Sequence, residues 1–282
     1  MKKVLLVSVV LLVILLAVSA MIALFQKDLP LGGKVAIVRI EGPIIDSKDT
    51  VEEIKGYVKN QSVKAIVLRV DSPGGGVAPS QEIYEEVRKA AAQKKVVVSM
   101  GSLAASGGYY ISAPASRILA NPGTLTGSIG VIMEIPNLEG LLTKVGVKTE
   151  VIKSGRHKDM ASVFRGIGEE EREILQDVLD DVHEQFIAAV VEGRKMLPGE
   201  VRKLADGRVF TGRQAVERGL VDELGNLEDA VKVAAKLSGI PGEPDVIEKK
   251  ERTSFLDFLR GKFSGELSDL FPTVKMKYVF AP

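Results

Sequence analysis

With 282 residues, 38 Lys+Arg against 37 Asp+Glu, and neither cysteine nor tryptophan, the chain carries a formal charge of +1. The missing cysteines exclude a thiolate nucleophile, thiolate zinc sites and disulfides together, and the thin, balanced spread of Lys and Arg argues against a nucleic-acid partner. With only two histidines there are few bases for a hydrolytic site. No cofactor and no metal is expected.

Met1-Lys2-Lys3 is followed by an uncharged run of 22 residues, Val4 to Phe25. As a helix it would reach ~33 Å, enough to cross a bilayer. Lys2 and Lys3 should stay cytoplasmic and the body should lie outside, which makes residues 1–26 a single-pass anchor held in the lipid of the cell membrane. Val18-Ser19-Ala20 resembles the cleavage site of an exported precursor, but the apolar run continues to Phe25, longer than a typical signal core. Residues 27–34 form a Pro/Gly-containing linker, 35–240 the main domain and 241–282 a tail.

In the main domain, apolar runs predict strands at Val35–Gly42, Ala65–Val70, Lys95–Met100 and Arg117–Ala120. Helical spacing predicts helices at Val51–Lys59, Gln81–Gln93, Glu169–Arg194, Gly212–Arg218 and Leu227–Leu237. Strands alternating with helices imply parallel crossovers and an α/β fold. Along the long helix Ile174, Leu175, Val178, Leu179, Val182 and Phe186 mark a packing face. His183 falls on its charged side, facing solvent.

The candidate chemistry sits in short segments between these elements. Asp71-Ser-Pro-Gly-Gly-Gly-Val77 lets a backbone come close to another chain with its N–H groups turned outward. It is no phosphate loop, because Gly-Lys-Ser/Thr does not follow. Met100-Gly-Ser-Leu-Ala-Ala-Ser106-Gly-Gly-Tyr-Tyr110 places Ser106 on a small-residue strand-to-helix turn, the setting of an exposed nucleophile. One N–H of the glycine run and that of Gly107 would form a two-donor oxyanion hole. Asn121 to Gly130 is a turn-rich loop whose hydroxyls could hold an amine toward Ser106.

Ser154-Gly-Arg-His-Lys158-Asp159 follows an alternating stretch, Val147 to Ile152, and supplies two candidate bases. In an extended segment His157 and Lys158 face opposite ways, so one of them meets the serine. Lys158 leads, because a Ser-His pair wants a carboxylate orienting the imidazole and no motif marks one. An amine acts as base only when neutral, which burial away from a carboxylate favours. Asp159 is therefore expected to point away.

These segments, together with Thr126-Gly-Ser-Ile-Gly-Val131 and Gly207-Arg-Val-Phe to Gly219-Leu-Val-Asp222, resemble the bacterial signal peptide peptidase A family in its short single-domain form, over roughly Val35 to Leu237. The resemblance implies a Clp protease/crotonase-like fold, a repeated ββα-type domain with a mostly parallel sheet. It also implies a Ser-Lys dyad of Ser106 and Lys158, oxyanion donors at Gly75 and Gly107, and Ser128 orienting the lysine. Family members look like membrane-anchored homo-oligomers that cut signal peptides and other apolar peptides at the extracytoplasmic face. The fold alone also fits a crotonase-type acyl-CoA enzyme, which would need neither Ser106 nor Lys158, and a stomatin-type partner protease is a further alternative. In the tail, Phe255 to Phe263 cluster among charges. Val274, Met276, Tyr278 and Phe280 alternate at strand period. Such a tail can dock as an ordinary terminal helix and edge strand, contact the membrane surface, add as a strand to a neighbouring subunit, or pair at Gly74 to Gly76 beside Ser106 as a peptide would.

Overall fold

The computed structural model describes residues 11–19, 33–249 and 276–279. Residues 11–19 form a helix, α1, exposed along its length. The predicted span from Val4 to Phe25 lies mostly outside the described residues, among which no helix is long and apolar enough to cross a membrane. The Phe255 to Phe263 cluster also lies outside them.

The body begins with β1 (Lys34–Glu41), α2 (Lys48–Lys59), β2 (Val63–Ser72), the short β3 (Gly74–Gly76) and α3 (Val77–Ala91). Next come β4 (Lys95–Ala105), α4 (Gly107–Ser112), β5 (Arg117–Ala120), β6 (Leu125–Gly127), β7 (Ile132–Met133) and α5 (Glu139–Lys144). The remainder is α6 (Glu169–Arg194), α7 (Pro198–Leu204), β8 (Val209–Thr211), α8 (Gly212–Glu217), β9 (Glu223–Leu224), α9 (Leu227–Leu237), β10 (Asp245–Glu248) and β11 (Met276–Val279).

The main sheet runs β10-β1-β2-β4-β5-β9, with every neighbouring pair parallel. A parallel sheet is covered on both faces, so its strands are apolar on both sides. Val35, Ile37, Ala65, Val67 and Val97 turn toward the alanines of α9, Ala230, Ala234 and Ala235. Ala36, Val38, Ile66, Leu68, Val70, Val98 and Met100 turn the other way, into the larger core with Ile83, Tyr109 and Phe186. The α/β class and the mostly parallel sheet are as expected from the alternating pattern. Capping explains two of the helix starts. The Asn226 and Thr211 side chains accept from the backbone N–H groups of Asp229 and Gln214, satisfying donors that the helix leaves unpaired.

One irregularity positions the site. β4 continues five residues past Met100, and beyond Met100 it leaves β5 and pairs with β6, Leu103 opposite Leu125 and Ala105 opposite Gly127. The predicted strand stops at Met100 because Gly101 to Ala105 carries no apolar run. A second, antiparallel sheet, β3-β11-β7, stands beside this strand end. The alternating stretch Val147 to Ile152 forms no strand. No neighbouring edge accepts it, and Val147, Val151 and Ile152 are exposed.

Candidate active site

Ser106 closes β4 with φ 53° and ψ −116°, a backbone conformation that a side chain rarely adopts. Two backbone bonds hold it there: its N–H donates to Gly127 (2.8 Å), and its carbonyl accepts from Tyr110 (2.8 Å). The turn aims the hydroxyl off the strand end. Ser106 is 1% exposed, and among the described residues its Oγ has no hydrogen-bond partner.

The β4–β6 pairing brings Gly127 and Ser128 alongside. Ser128 is buried, has a left-handed φ of 51°, and borders a cavity of about 500 Å³ that also touches Val279 and His183. The expected solvent-facing His183 is instead half-buried, and its Nε2 finds no partner among the described residues. The helix turns this position to the cavity that Ile132 and Gly207 also line, which sequence spacing cannot register.

The glycine run lies across the serine. Gly74 O accepts from Ile44 and Gly76 N donates to Ile44, both at 2.8 Å, so strand alternation turns the polar groups of Gly75 to the opposite edge. That edge carries β11, with Tyr278 opposite Gly75. A Cβ placed on Gly74, whose φ is 95°, would fall 1.9 Å from the Tyr278 carbonyl oxygen and 2.5 Å from Gly107 N. Only glycine admits such an approach. The Tyr278 carbonyl, the Gly74 backbone and the Gly107 amide thus converge beside Ser106.

The Tyr278 side chain is fully buried. Its ring stacks on Tyr110 (5.1 Å between centroids) and packs on Phe186 (4.8 Å), and its hydroxyl donates to the Val182 carbonyl at 3.1 Å. Desolvation holds this phenol in its neutral, donating form. Sequence reasoning puts Phe186 on an ordinary packing face and gives Tyr110 no role of its own. The available signal was a paired tyrosine directly after the Ser-Gly-Gly turn.

Lys158 stands apart from this cluster. The segment around it is a run of turns, not an extended strand, so the opposite-faces argument for His157 and Lys158 does not apply. Lys158 is exposed, and its ammonium makes no ion pair or hydrogen bond among the described residues. Asp159 does turn away from it, to Lys153 and to Arg165 (3.0 Å), while Arg165 also grips Glu171 at the start of α6. His157 Nε2 faces Glu170 at 3.6 Å.

This brace makes a pH prediction. Arg165, and after it Lys153, hold Asp159 well below the usual carboxylate range. Arg165 and the Gly168 N–H lower Glu171 from 4.5 to about 2. Both folded values are depressed, so the brace is intact above the ordinary carboxylate range and is lost as pH falls through the folded values. The arm from Val147 to Gly168 should loosen in acid, between about 4.5 and 2, before the main sheet does. Arg165→Met should loosen it already at neutral pH. Hydrogen exchange in the arm reads both effects, and unchanged exchange in Arg165→Met would remove the brace from the account.

An extended chain held by its backbone, with a carbonyl turned to a serine, is how a peptidase meets its substrate, and serine peptidase is the class this fold and site define. The profile of peptidase family S49 matches residues 88–241, and that of Clp protease residues 35–123. A protein of Synechocystis sp. named as a candidate protease is 46% identical over 216 residues, 76% of this chain and 77% of that one. A candidate signal peptide peptidase, SppA, of Enterococcus faecium is 38% identical over 231 residues, 80% of this chain and 66% of its own. Protease 4 of Salmonella typhi is 36% identical over 261 residues, 89% of this chain but 42% of that longer protein. The chain belongs to peptidase family S49 and is a serine peptidase of the signal peptide peptidase A type. The family match favours peptide hydrolysis over the acyl-CoA alternative.

Proposed function

We propose that this chain is a membrane-anchored endopeptidase that cleaves apolar peptides, remnant signal peptides among them, at the extracytoplasmic face, with Ser106 as nucleophile and Lys158 as general base. The observation that carries this reading is the Tyr278 carbonyl lying against Gly74 and Gly107 beside the strained Ser106. Ser106 Oγ attacks such a carbonyl and gives its proton to the amine of Lys158. The N–H groups of Gly75 and Gly107 hold the oxyanion, a contribution worth about 3 kcal/mol for each donor. Collapse expels the amine, which takes the proton back from Lys158, and water then releases the acyl group with the same amine as base. Ser128, on the cavity wall, orients the lysine.

The base comes from a neighbouring copy of the chain. Ser106 has no base within hydrogen-bond reach among the described residues, while Lys158 is exposed on an arm that also displays Val151 and Ile152, next to the exposed Leu141 and Val145 of α5 and its end. Exposed apolar side chains beside an unpaired cation suit a subunit interface. The membrane anchor is supported by the apolar run and by the display of Leu11, Leu12, Ile14, Leu15 and Leu16 on α1. A fluorophosphonate should label Ser106 stoichiometrically, and the label should vanish in Ser106→Ala. Mass spectrometry finding the label on another residue would refute the assignment.

A further inference from the structure

A second polar cavity lies behind the aromatic wall of the peptide cleft. It has a volume of about 440 Å³ and is bordered by Tyr84, Arg88, Arg117, Arg194, Lys195 and Asp222. Its connection to the cleft is short, since the Tyr84 ring packs on Tyr110 at 4.9 Å and Tyr110 stacks on Tyr278.

The charges there do not balance. Asp222 is shared by two guanidiniums, Arg194 at 2.8 Å and Arg117 at 3.3 Å, and also accepts from the Ile118 N–H at 2.7 Å. Arg88 is satisfied by Glu85 at 2.9 Å and lies 3.9 Å from Glu192, which also borders the cavity. Lys195 makes no ion pair among the described residues. The carbonyl end of α6 contributes only about half an opposing charge. The lining therefore keeps an excess of positive charge.

Two buried donors are also left over. Arg194 has a side chain only 7% exposed, yet among the described residues its Nε–H has no partner, and neither does the buried Tyr84 hydroxyl. Burial pushes that hydroxyl up to about 12, so it stays an O–H donor. Unpaired buried donors are costly, and two of them on one cation-rich cavity call for an acceptor.

We propose that this cavity binds a phosphate ester, with Lys195 and Arg117 supplying charge and with Tyr84 and Arg194, whose free donors are shielded from water in this structure, turning to donate to its oxygens. A phosphate offers more terminal oxygens than a carboxylate and suits several converging donors of mixed geometry. Ala91, Pro114 and Ala115 give the rest of the cavity an apolar lining that would seat the organic part of the ester. The phosphate belongs either to a soluble ester or to a lipid headgroup.

Calorimetry on the full chain at low ionic strength, with inorganic phosphate and with glycerol phosphate, tests the soluble form. Sedimentation with phosphatidylcholine vesicles, with and without phosphatidic acid, tests the headgroup, read as the binding that phosphatidic acid adds to what the apolar anchor alone gives. Saturable binding is expected in at least one arm, weakened about tenfold or more in Tyr84→Phe and in Lys195→Gln, since each loses a hydrogen bond or charge to an ionised ligand. Tyr84→Phe removes a hydroxyl without a partner among the described residues, so its thermal midpoint in the absence of phosphate should equal or exceed that of the parent. Lys195→Gln, at an exposed position, gives the same reading if Tyr84→Phe misfolds. No saturable binding in either arm, or equal affinity in both variants and the parent, overturns the site.

Discussion

Mixing two inactive variants should restore cleavage. Ser106→Ala and Lys158→Ala are each expected to abolish hydrolysis of an apolar peptide while leaving the thermal midpoint near that of the parent, because Lys158 is exposed and Ser106→Ala removes a hydroxyl without a partner among the described residues. The double variant should be no worse than either single one, since groups acting as a unit are not additive. If each serine takes its base from the next copy, a Lys158→Ala chain beside a Ser106→Ala chain rebuilds one working site. Random exchange at equal ratio puts that pair together in about a quarter of the sites of a closed ring. Recovery to roughly that level after subunit exchange is the expected readout. Continued inactivity after verified exchange would place serine and base in one chain, and near-normal turnover in Lys158→Ala alone would end the Ser-Lys reading altogether.

The tail should act as a resident competitor. β11 occupies the cleft through backbone pairing on both of its edges, with the Tyr278 ring buried in the aromatic wall. Tethering gives such a strand roughly millimolar effective concentration, so an intrinsic affinity of even ~0.1 mM would fill about nine clefts in ten. Removing Lys275 to Pro282 should then lower the apparent KM for an added peptide about tenfold and speed fluorophosphonate labelling of Ser106. Slow self-cleavage after Tyr278, whose carbonyl is the one turned to the serine, should appear by mass spectrometry and disappear in Ser106→Ala. The competing outcome is a structural role. Truncating a buried aromatic residue typically costs about 3–5 kcal/mol, so an unfolded or inactive truncated protein would mean that the strand completes the core.

The sequence announced the sheet and most of its helices because they obey simple periods. Val35, Ile37, Ala65 and Val67 alternate with Ala36, Val38, Ile66 and Leu68 across two buried faces, which reads as a parallel sheet. Ser106 was legible because glycine and alanine around a serine have few other uses. The glycine run was legible because three adjacent glycines mark a close approach. Other features were hidden by being long-range. Nothing near Met100 says that β4 will exchange β5 for β6, and nothing in α6 says that Phe186 will meet Tyr278 from 92 residues away. The Val147 to Ile152 stretch forms no strand for a related reason: alternation announces a strand only when an edge exists to receive it. The turn that carries Lys158 is set by the contact between Arg165 and Asp159, and charge spacing alone does not reveal such a pair.

The cleft between β3 and β7 grips a chain from both sides by its main-chain groups. A chain held that way has surrendered every helical hydrogen bond over the gripped stretch. The site therefore sorts by conformation before it sorts by side chain. On the proposed reading, a segment that stays coiled, as an apolar peptide does in hydrocarbon where its backbone must bond to itself, is cut only after a few residues unwind at the surface. Proline at a paired position lacks the N–H that the ladder requires, so it would shield the bonds around it. Folded proteins, whose strands are already committed to partners, would pass by untouched.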